Sequence, residues 1–466
     1  MKDRKIIQSD SGLISRRQFL AGTAAASAGF LIVPRHVLGR PGFKPPSDTV
    51  NIACIGVGGK GRSDVMSVSS ENIVAVCDVD DLQMAGTLKR YRETNGSDLA
   101  EKFLKAKKYR DFRVMLEKEN NNIDAVTVTT PDHTHFIIAM AAIQMGKHAF
   151  VQKPLTHSVS EARMLAKAAR EANVVTQMGN QGHASEEARL INEWIWDGAI
   201  GPVREVHCWT NRPIWPQGID APTEIPSVPS TLDWDLWIGP APFRPYHPAY
   251  APFRWRGWWE FGTGALGDMG AHIFDHPYWA LKLGYPETIQ ASSTRFTKDS
   301  YPLASTVHYT FPARDENMPA LKLTWYDGGL MPPRPEELEE GRRLGASGGG
   351  ILFVGDKGKM MCSVYGSNPR IIPETKMREY KRPEKTITRS PGIHEEWIEA
   401  IKKGKKSTTD FEYAAKLTET MLLGNIAIRM ADKNKILHYD GENMQFTNMP
   451  EANQYFSREY RPGWRA

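Results

Sequence analysis

An α/β fold in two parts, a parallel sheet wound with helices and then a domain on a mainly antiparallel sheet, is predicted by three features of this 466-residue chain. The apolar run Val50–Ile55 enters a glycine turn, Gly56-Val57-Gly58-Gly59-Lys60-Gly61, and a second apolar run, Ile73–Cys77, ends on Asp78. Between Thr49 and Gly179 such runs alternate with helix-period segments, the pattern of βαβ units and a parallel sheet. Beyond Asn180, strand-like runs follow one another without helices between them, which favours antiparallel pairing.

Taken in order, the first part offers strands at Val50–Ile55, Ile73–Cys77, Asp124–Thr129, His148–Val151 and Val174–Gln177. A helix at Ser185–Asp197 then leads into the alternating stretch Pro202–Thr210. Further strands are expected at Thr288–Phe296, Ala304–Phe311, Ala320–Tyr326, Gly350–Val354 and Lys359–Ser363, and amphipathic helical segments at Ile393–Lys403 and Phe411–Lys433. The length suits two domains, placed at 49–180 and 181–440. A segment 1–39 and a Pro/Gly linker 40–48 precede them, and an extension 441–466 follows. An apolar fraction of 41% is enough for two cores.

Each part of the opening motif has a physical task. Gly56 permits the tight turn, Gly58 lets the backbone approach a pyrophosphate, and Gly61 lets the next helix pack closely on the strand. The amides and dipole at that helix start, around Gly59 and Lys60, favour an anion. Asp78 stands 17 residues beyond Gly61, where a carboxylate accepts hydrogen bonds from both hydroxyls of an adenosine ribose and repels a 2′-phosphate. The expected cofactor is NAD rather than NADP.

The formal charge of +5 is concentrated at the N-terminus, where residues 1–39 hold six lysines and arginines against two acids. The remainder is close to neutral, so no nucleic-acid partner is expected. Cys54, Cys77, Cys208 and Cys362 have neither metal-site spacing nor a disulfide pattern. His276, His308 and His394 show no ligand spacing, and no metal is expected. Ser347-Gly348-Gly349-Gly350 lacks the Lys-Ser/Thr that completes a phosphate loop and reads as a loop or a strand lead-in.

Ser15-Arg16-Arg17-Gln18-Phe19-Leu20 precedes a mild apolar stretch, residues 21–33, too short for a comfortable membrane span. Paired arginines before such a stretch read as a twin-arginine export signal and a periplasmic destination; a plain tail and an uncleaved anchor stay open. That route carries folded proteins, so the dinucleotide is expected to travel already bound.

Four more strings stand at matching places: Thr130-Pro131-Asp132-His133-Thr134-His135 after one strand, Gln152-Lys153-Pro154-Leu155 after the next, Asn180 after the one following, and Gly264-Ala265-Leu266-Gly267-Asp268-Met269-Gly270-Ala271-His272 at the start of a helix. With these, residues 49–440 resemble the Gfo/Idh/MocA oxidoreductases. The resemblance implies a Rossmann domain followed by an α/β domain with an open, mainly antiparallel sheet, whose outer face serves a homodimer or homotetramer. It implies cofactor contacts from Thr130, Pro131, His135, Gln152, Lys153 and Asn180 beside the glycine turn and Asp78; a helix-end histidine and a loop cap are the plain alternatives for His135 and Asn180. It also implies a carbohydrate substrate: a sugar, polyol or glycoside. One departure stands out, since Gln152 replaces the glutamate of the family's Glu-Lys-Pro. The amide can still bond a ribose hydroxyl but brings no charge to Lys153.

Oxidising a secondary alcohol needs a hydride acceptor, a base and a group that polarises the oxygen. Asp268 and His272 are four apart and share a helix face. Alone they read as an ordinary helix pair. With Lys153 and the resemblance they are assigned to catalysis: His272 as base, Asp268 as the group orienting its imidazole, and Lys153 bonding the reacting oxygen. Seven of the thirteen tryptophans fall within residues 209–259. Packing is the plain reading of each, while Trp258 and Trp259 are candidates for a sugar platform, with His183 and Arg212 for hydroxyls. His133 is expected to face solvent or substrate. The expected activity is hydride transfer between a sugar or glycoside secondary alcohol and tightly bound NAD. The alternative is an NAD-dependent glycosidase acting through transient oxidation and elimination.

Overall fold

Strand β1 (Asn51–Ile55) is the axis of the first sheet, pairing in parallel with β2 (Asn72–Cys77) on one side and β4 (Ala125–Val128) on the other. This is a computed structural model that describes residues 48–94 and 96–464; the predicted export signal, 1–39, lies outside the described residues. With β3 (Lys107–Tyr109), β5 (His148–Val151) and β6 (Thr176–Met178), the sheet runs β3-β2-β1-β4-β5-β6. Every pairing in it is parallel. Strand β4 is buried along its whole length, as expected of strands covered by helices on both faces. The order reverses between β1 and β4, and the crevice at their carboxyl ends is where such sheets take ligands.

The second sheet has nine strands in the order β13-β12-β11-β7-β10-β9-β8-β14-β15. In chain order they are β7 (Val203–Thr210), β8 (Thr288–Ser293), β9 (Ser305–Phe311), β10 (Leu321–Tyr326), β11 (Gly349–Gly355), β12 (Gly358–Cys362), β13 (Arg370–Ile372), β14 (Leu437–Asp440) and β15 (Gln445–Phe446). Only β7 and β10 pair in parallel, so the sheet is mixed and mostly antiparallel. The triple glycine is the lead into β11. Strand β15 lies past residue 440, so the sheet continues into the segment read as an extension. That segment then returns to the first part: Arg458 pairs with Glu161 at 2.8 Å, and Trp464 lies against Phe112. Both sheets belong to one unit, Val50–Ala466.

The structure corrects the sugar platform. All seven tryptophans of the 209–259 stretch are buried. Trp258, 1% exposed, donates from Nε1 to the Ala249 carbonyl at 2.8 Å and packs on Tyr250. Trp259, 4% exposed, lies against Tyr301, with the Arg429 guanidinium 3.8 Å from its ring. Large flat apolar groups gain most from burial, and their N–H groups have found carbonyl partners. His133 is also enclosed rather than facing solvent. Its ring nitrogens lie 3.2 and 2.9 Å from the carbonyls of Phe261 and Trp237. Burial, reinforced by Arg458, pushes its pKa down to about 3.

The helix Phe411–Arg429, expected to be amphipathic, is instead buried on almost every side. It packs against the helices Val159–Glu171 and Gly264–Ile273 and against β8. Glycine inside a helix normally costs about 1 kcal/mol relative to alanine. At Gly424, however, a Cβ would overlap the Tyr309 hydroxyl and lie 2.6 Å from Leu266 Cδ2. Gly424→Ala is therefore expected to destabilise, by about 1–3 kcal/mol. Equilibrium denaturant melts of the two proteins check the sign.

Candidate active site

The cradle begins where β1 meets the helix Gly59–Ser67. Gly56 has φ +76°, and a Cβ there would strike the Thr129 carbonyl and touch Thr130. A Cβ on Gly61 would overlap the Gly56 carbonyl, and one on Gly58 would lie 2.9 Å from Gln83 Cβ. The helix start has no side-chain cap and no acid in its first turn, which leaves amide donors and a positive dipole end for an anion. Asp78 Oδ2 accepts from the amides of Val57 at 2.9 Å and Gly58 at 3.3 Å. Burial pushes its carboxyl up from the usual value, while these amides and that of Asp80 oppose the shift.

Thr130 and Pro131 follow β4 beside Gly56. Asn180, just beyond β6, is fully buried, and neither end of its amide has a hydrogen-bond partner. Unpaired buried amides are rare and point to an absent ligand or water. A pyrophosphate at the uncapped helix, a ribose at Asp78 and a polar group at Asn180 together fit NAD. The side chain of Lys60 adds nothing to the amides of the helix start, and the expected His135 contact is corrected. Lys60 is turned back along its helix, its ammonium 2.8 Å from Asp64 Oδ1. His135 has its ring nitrogens 2.9 Å from the carbonyls of Pro154 and Thr130; a neutral ring donates to one of them, and the side chain sits between these two loops rather than standing free for the cofactor. Gln152 is buried and donates from Nε2 to Asp64 Oδ2 at 2.8 Å.

Lys153, Asp268 and His272 do come together. Lys153 Nζ donates to Asp268 twice, to its backbone carbonyl at 2.8 Å and its Oδ1 at 2.9 Å. Arg256 Nε reaches the same Oδ1 at 3.3 Å. Burial opposes the Asp268 charge, yet Lys153 and Arg256 outweigh it and bring the carboxyl down to about 2. This corrects the role read for Asp268, which holds Lys153 and Arg256 and makes no hydrogen bond to the imidazole. His272 is buried, its Nδ1 has no partner, and its ring meets the edge of Tyr365 with centroids 4.9 Å apart. Burial, then the Lys153 charge, hold its pKa well below the usual 6.5.

Of the expected substrate groups, Arg212 is half-buried, with Nη1 on the neighbouring Asn211. His183, expected to bind substrate hydroxyls, is corrected: it is buried, bonded through Nδ1 to Asp275 at 2.9 Å, and stacked on Trp279. Tyr365, 39% exposed, was missed. It lies in a polar loop between β12 and β13 and has no motif around it. Asp64 was missed because its single helical position carries no periodic signal.

Residues 50–180 match the family description "Oxidoreductase family, NAD-binding Rossmann fold", and residues 207–311 its "Oxidoreductase family, C-terminal alpha/beta domain". The chain belongs to the Gfo/Idh/MocA oxidoreductase family. A scyllo-inositol 2-dehydrogenase (NADP(+)) of Bacillus subtilis is 26% identical over 219 residues, 47% of this chain and 49% of that enzyme. A glycosyl hydrolase family 109 protein of a Shewanella species is 29% identical over 215 residues, 40% of this chain and 44% of that protein. The chain thus matches about half the length of these curated relatives. Among solved structures, the WlbA dehydrogenase of Bordetella pertussis, in complex with NADH and UDP-GlcNAcA, shares the fold at a TM-score of 0.55 and 16% identity. That match covers 84% of this chain and 99% of the other.

The sequence of this Gfo/Idh/MocA protein assigns discrimination between dinucleotides to Asp78. Asp78→Asn keeps an acceptor for the Val57 and Gly58 amides and removes the charge that repels a 2′-phosphate. The ratio of NADPH to NADH dissociation constants, read by fluorescence titration, is expected to fall at least about tenfold.

Proposed function

We propose that the protein transfers hydride between a secondary alcohol of a sugar or glycoside and tightly bound NAD. The observation that carries this reading is the meeting of Lys153, Asp268 and His272 at the carboxyl end of β5, beside a cradle that fits NAD. NAD, when bound, takes the hydride from the alcohol carbon. His272 takes the hydroxyl proton. Its depressed pKa keeps the ring neutral at physiological pH, and Nδ1 has no competing partner. An ammonium has three donors; Asp268 holds two of those on Lys153, and the third donates to the reacting oxygen and stabilises its developing charge. Asp268 keeps the lysine in place, and the ring of Tyr365 lies against that of His272.

The likeness to glycosyl hydrolase family 109 proteins favours one second reading, a glycosidase that oxidises its substrate, eliminates the aglycone, adds water and reduces the product. The two differ in net redox change. Purified protein incubated with a sugar and glycoside panel, with products read by mass spectrometry, is expected to yield a product lighter by two hydrogens and an equal amount of NADH. Free sugar with no net NADH would establish the glycosidase instead. In either case His272→Ala should lower kcat by about 10²-fold or more with NADH affinity unchanged. A base with depressed pKa stays unprotonated as pH falls through 6.5, so the acid limb of wild-type kcat/KM is expected below that value.

The reading extends to export by the twin-arginine route with NAD already bound, supported by Arg16-Arg17 and the apolar stretch after them, and to a homodimer or homotetramer through the outer face of the nine-stranded sheet. The double substitution Arg16→Lys, Arg17→Lys is expected to hold the protein in the cytoplasm of an expressing bacterium. Equal amounts of variant and wild type in a periplasmic fraction would refute the address.

A further inference from the structure

The departure at Gln152 has a physical counterpart 88 residues earlier. Asp64 sits on the second turn of the glycine-loop helix, fully buried. Its Oδ2 accepts from Gln152 Nε2 at 2.8 Å and from Thr129 Oγ1 at 2.9 Å. Its Oδ1 faces Lys60 Nζ at 2.8 Å and His394 Nε2 at 3.2 Å. Those cationic and donor groups, set against burial, hold its carboxyl below the usual range. An ionised carboxylate only accepts hydrogen bonds. The orientation of the Gln152 amide is therefore fixed: NH₂ toward Asp64, and Oε1 turned away from it. Gly179 leaves room for that amide, since a Cβ there would lie 2.7 Å from Nε2 and 2.9 Å from Oε1. The next residue is Asn180, whose unpaired amide marks the cradle.

A glutamate at 152 would set two carboxylates in hydrogen-bond contact inside the protein, and they cannot both stay ionised there. The neutral side chain at 152 and the acid at 64 belong together. We propose that Asp64 is a positioning residue for the cofactor: it carries the buried charge itself and locks Gln152 so that Oε1 is the acceptor offered to a dinucleotide hydroxyl. This rests on the reading of the cleft as an NAD site. The charge is screened by Lys60 and His394, so Lys153, one residue on, keeps Asp268 as its carboxylate partner.

The test is a swap. Gln152→Glu is expected to weaken NADH binding at least tenfold by fluorescence titration. The double variant Asp64→Asn, Gln152→Glu restores a donor–acceptor pair with the roles reversed and should return the dissociation constant to within about threefold of wild type. Asp64→Leu, which leaves the Gln152 amide free to flip, should bind NADH at least tenfold more weakly, with Tm within a few degrees of wild type. If Gln152→Glu does not fold, the last two variants still decide. A double variant no better than Gln152→Glu, or an Asp64→Leu variant that binds like wild type, would overturn the proposal. Wild-type protein that fails to bind NADH would overturn the site reading. In that event a double-mutant cycle of Tm over the same variants still tests the pair, and an additive cycle would overturn it too.

Discussion

One helix holds the two halves of the site in register. Phe411–Arg429 is buried on nearly every side, and its residues reach both the lysine loop and the histidine helix. Thr418 Oγ1 accepts from the Leu155 amide, two residues past Lys153, at 3.3 Å. Asn425 Nδ2 donates to the Thr263 carbonyl at the start of Gly264–Ile273 at 2.8 Å. Met421 packs against Gly270, and Leu266 fills the space that the bare Gly424 leaves. Lys153 and Asp268 are 115 residues apart in the chain, and their contact depends on this shared wall. Close packing transmits small displacements, so the Lys153–Asp268 ion pair is as rigid as the core behind it.

Within that frame the charges are sorted by what each neighbour can neutralise. Asp268 stays ionised in a buried place because a lysine and an arginine face it. His272, one turn on, has no anion in hydrogen-bond contact and stays neutral. A carboxylate bonded to the imidazole would have favoured its protonated form. Asp64, Lys60, Gln152 and His394 form a second, separate network behind the glycine loop. In the proposed reading the two networks divide the tasks, one serving the proton transfer and the other the cofactor cradle, and Gln152-Lys153 is the dipeptide where they meet.

Much of this was legible where chemistry is written in contiguous strings. The glycine turn, the strand ending on Asp78, and the segments carrying Lys153, Asp268 and His272 each combine an element boundary with a functional side chain. What was not legible depends on distance or on competition for burial. Asp64 and His394 meet across 330 residues, and no local pattern announces that. Trp258 and Trp259 were open to two readings, and the apolar area of indole decided for the core. His133 and His135 stand in the same string as Thr130 and Pro131, yet their rings were claimed by backbone carbonyls that burial would otherwise have left unpaired. Strands β3, β13, β14 and β15 are short, at two to four residues each, and exist through pairing with longer neighbours rather than through their own sequence.

The energetics of the cleft argue against a relict that only keeps the fold. A buried polar atom without a partner costs about 1–3 kcal/mol. Asn180 has two such atoms, Gln177 on β6 has two, and His272 Nδ1 is another. Buried ion pairs are seldom better for stability than apolar groups of the same size, and Lys153–Asp268 is largely buried. A chain that needed only to fold would be better served by leucine or methionine at several of these positions. Unpaired buried atoms occur elsewhere too, at Asn192, Trp194 and Tyr309 among others, but those of Asn180 and His272 lie close to Gln152 and Lys153. That placement fits an occupant whose own donors and acceptors complete those groups. A bound dinucleotide supplies both.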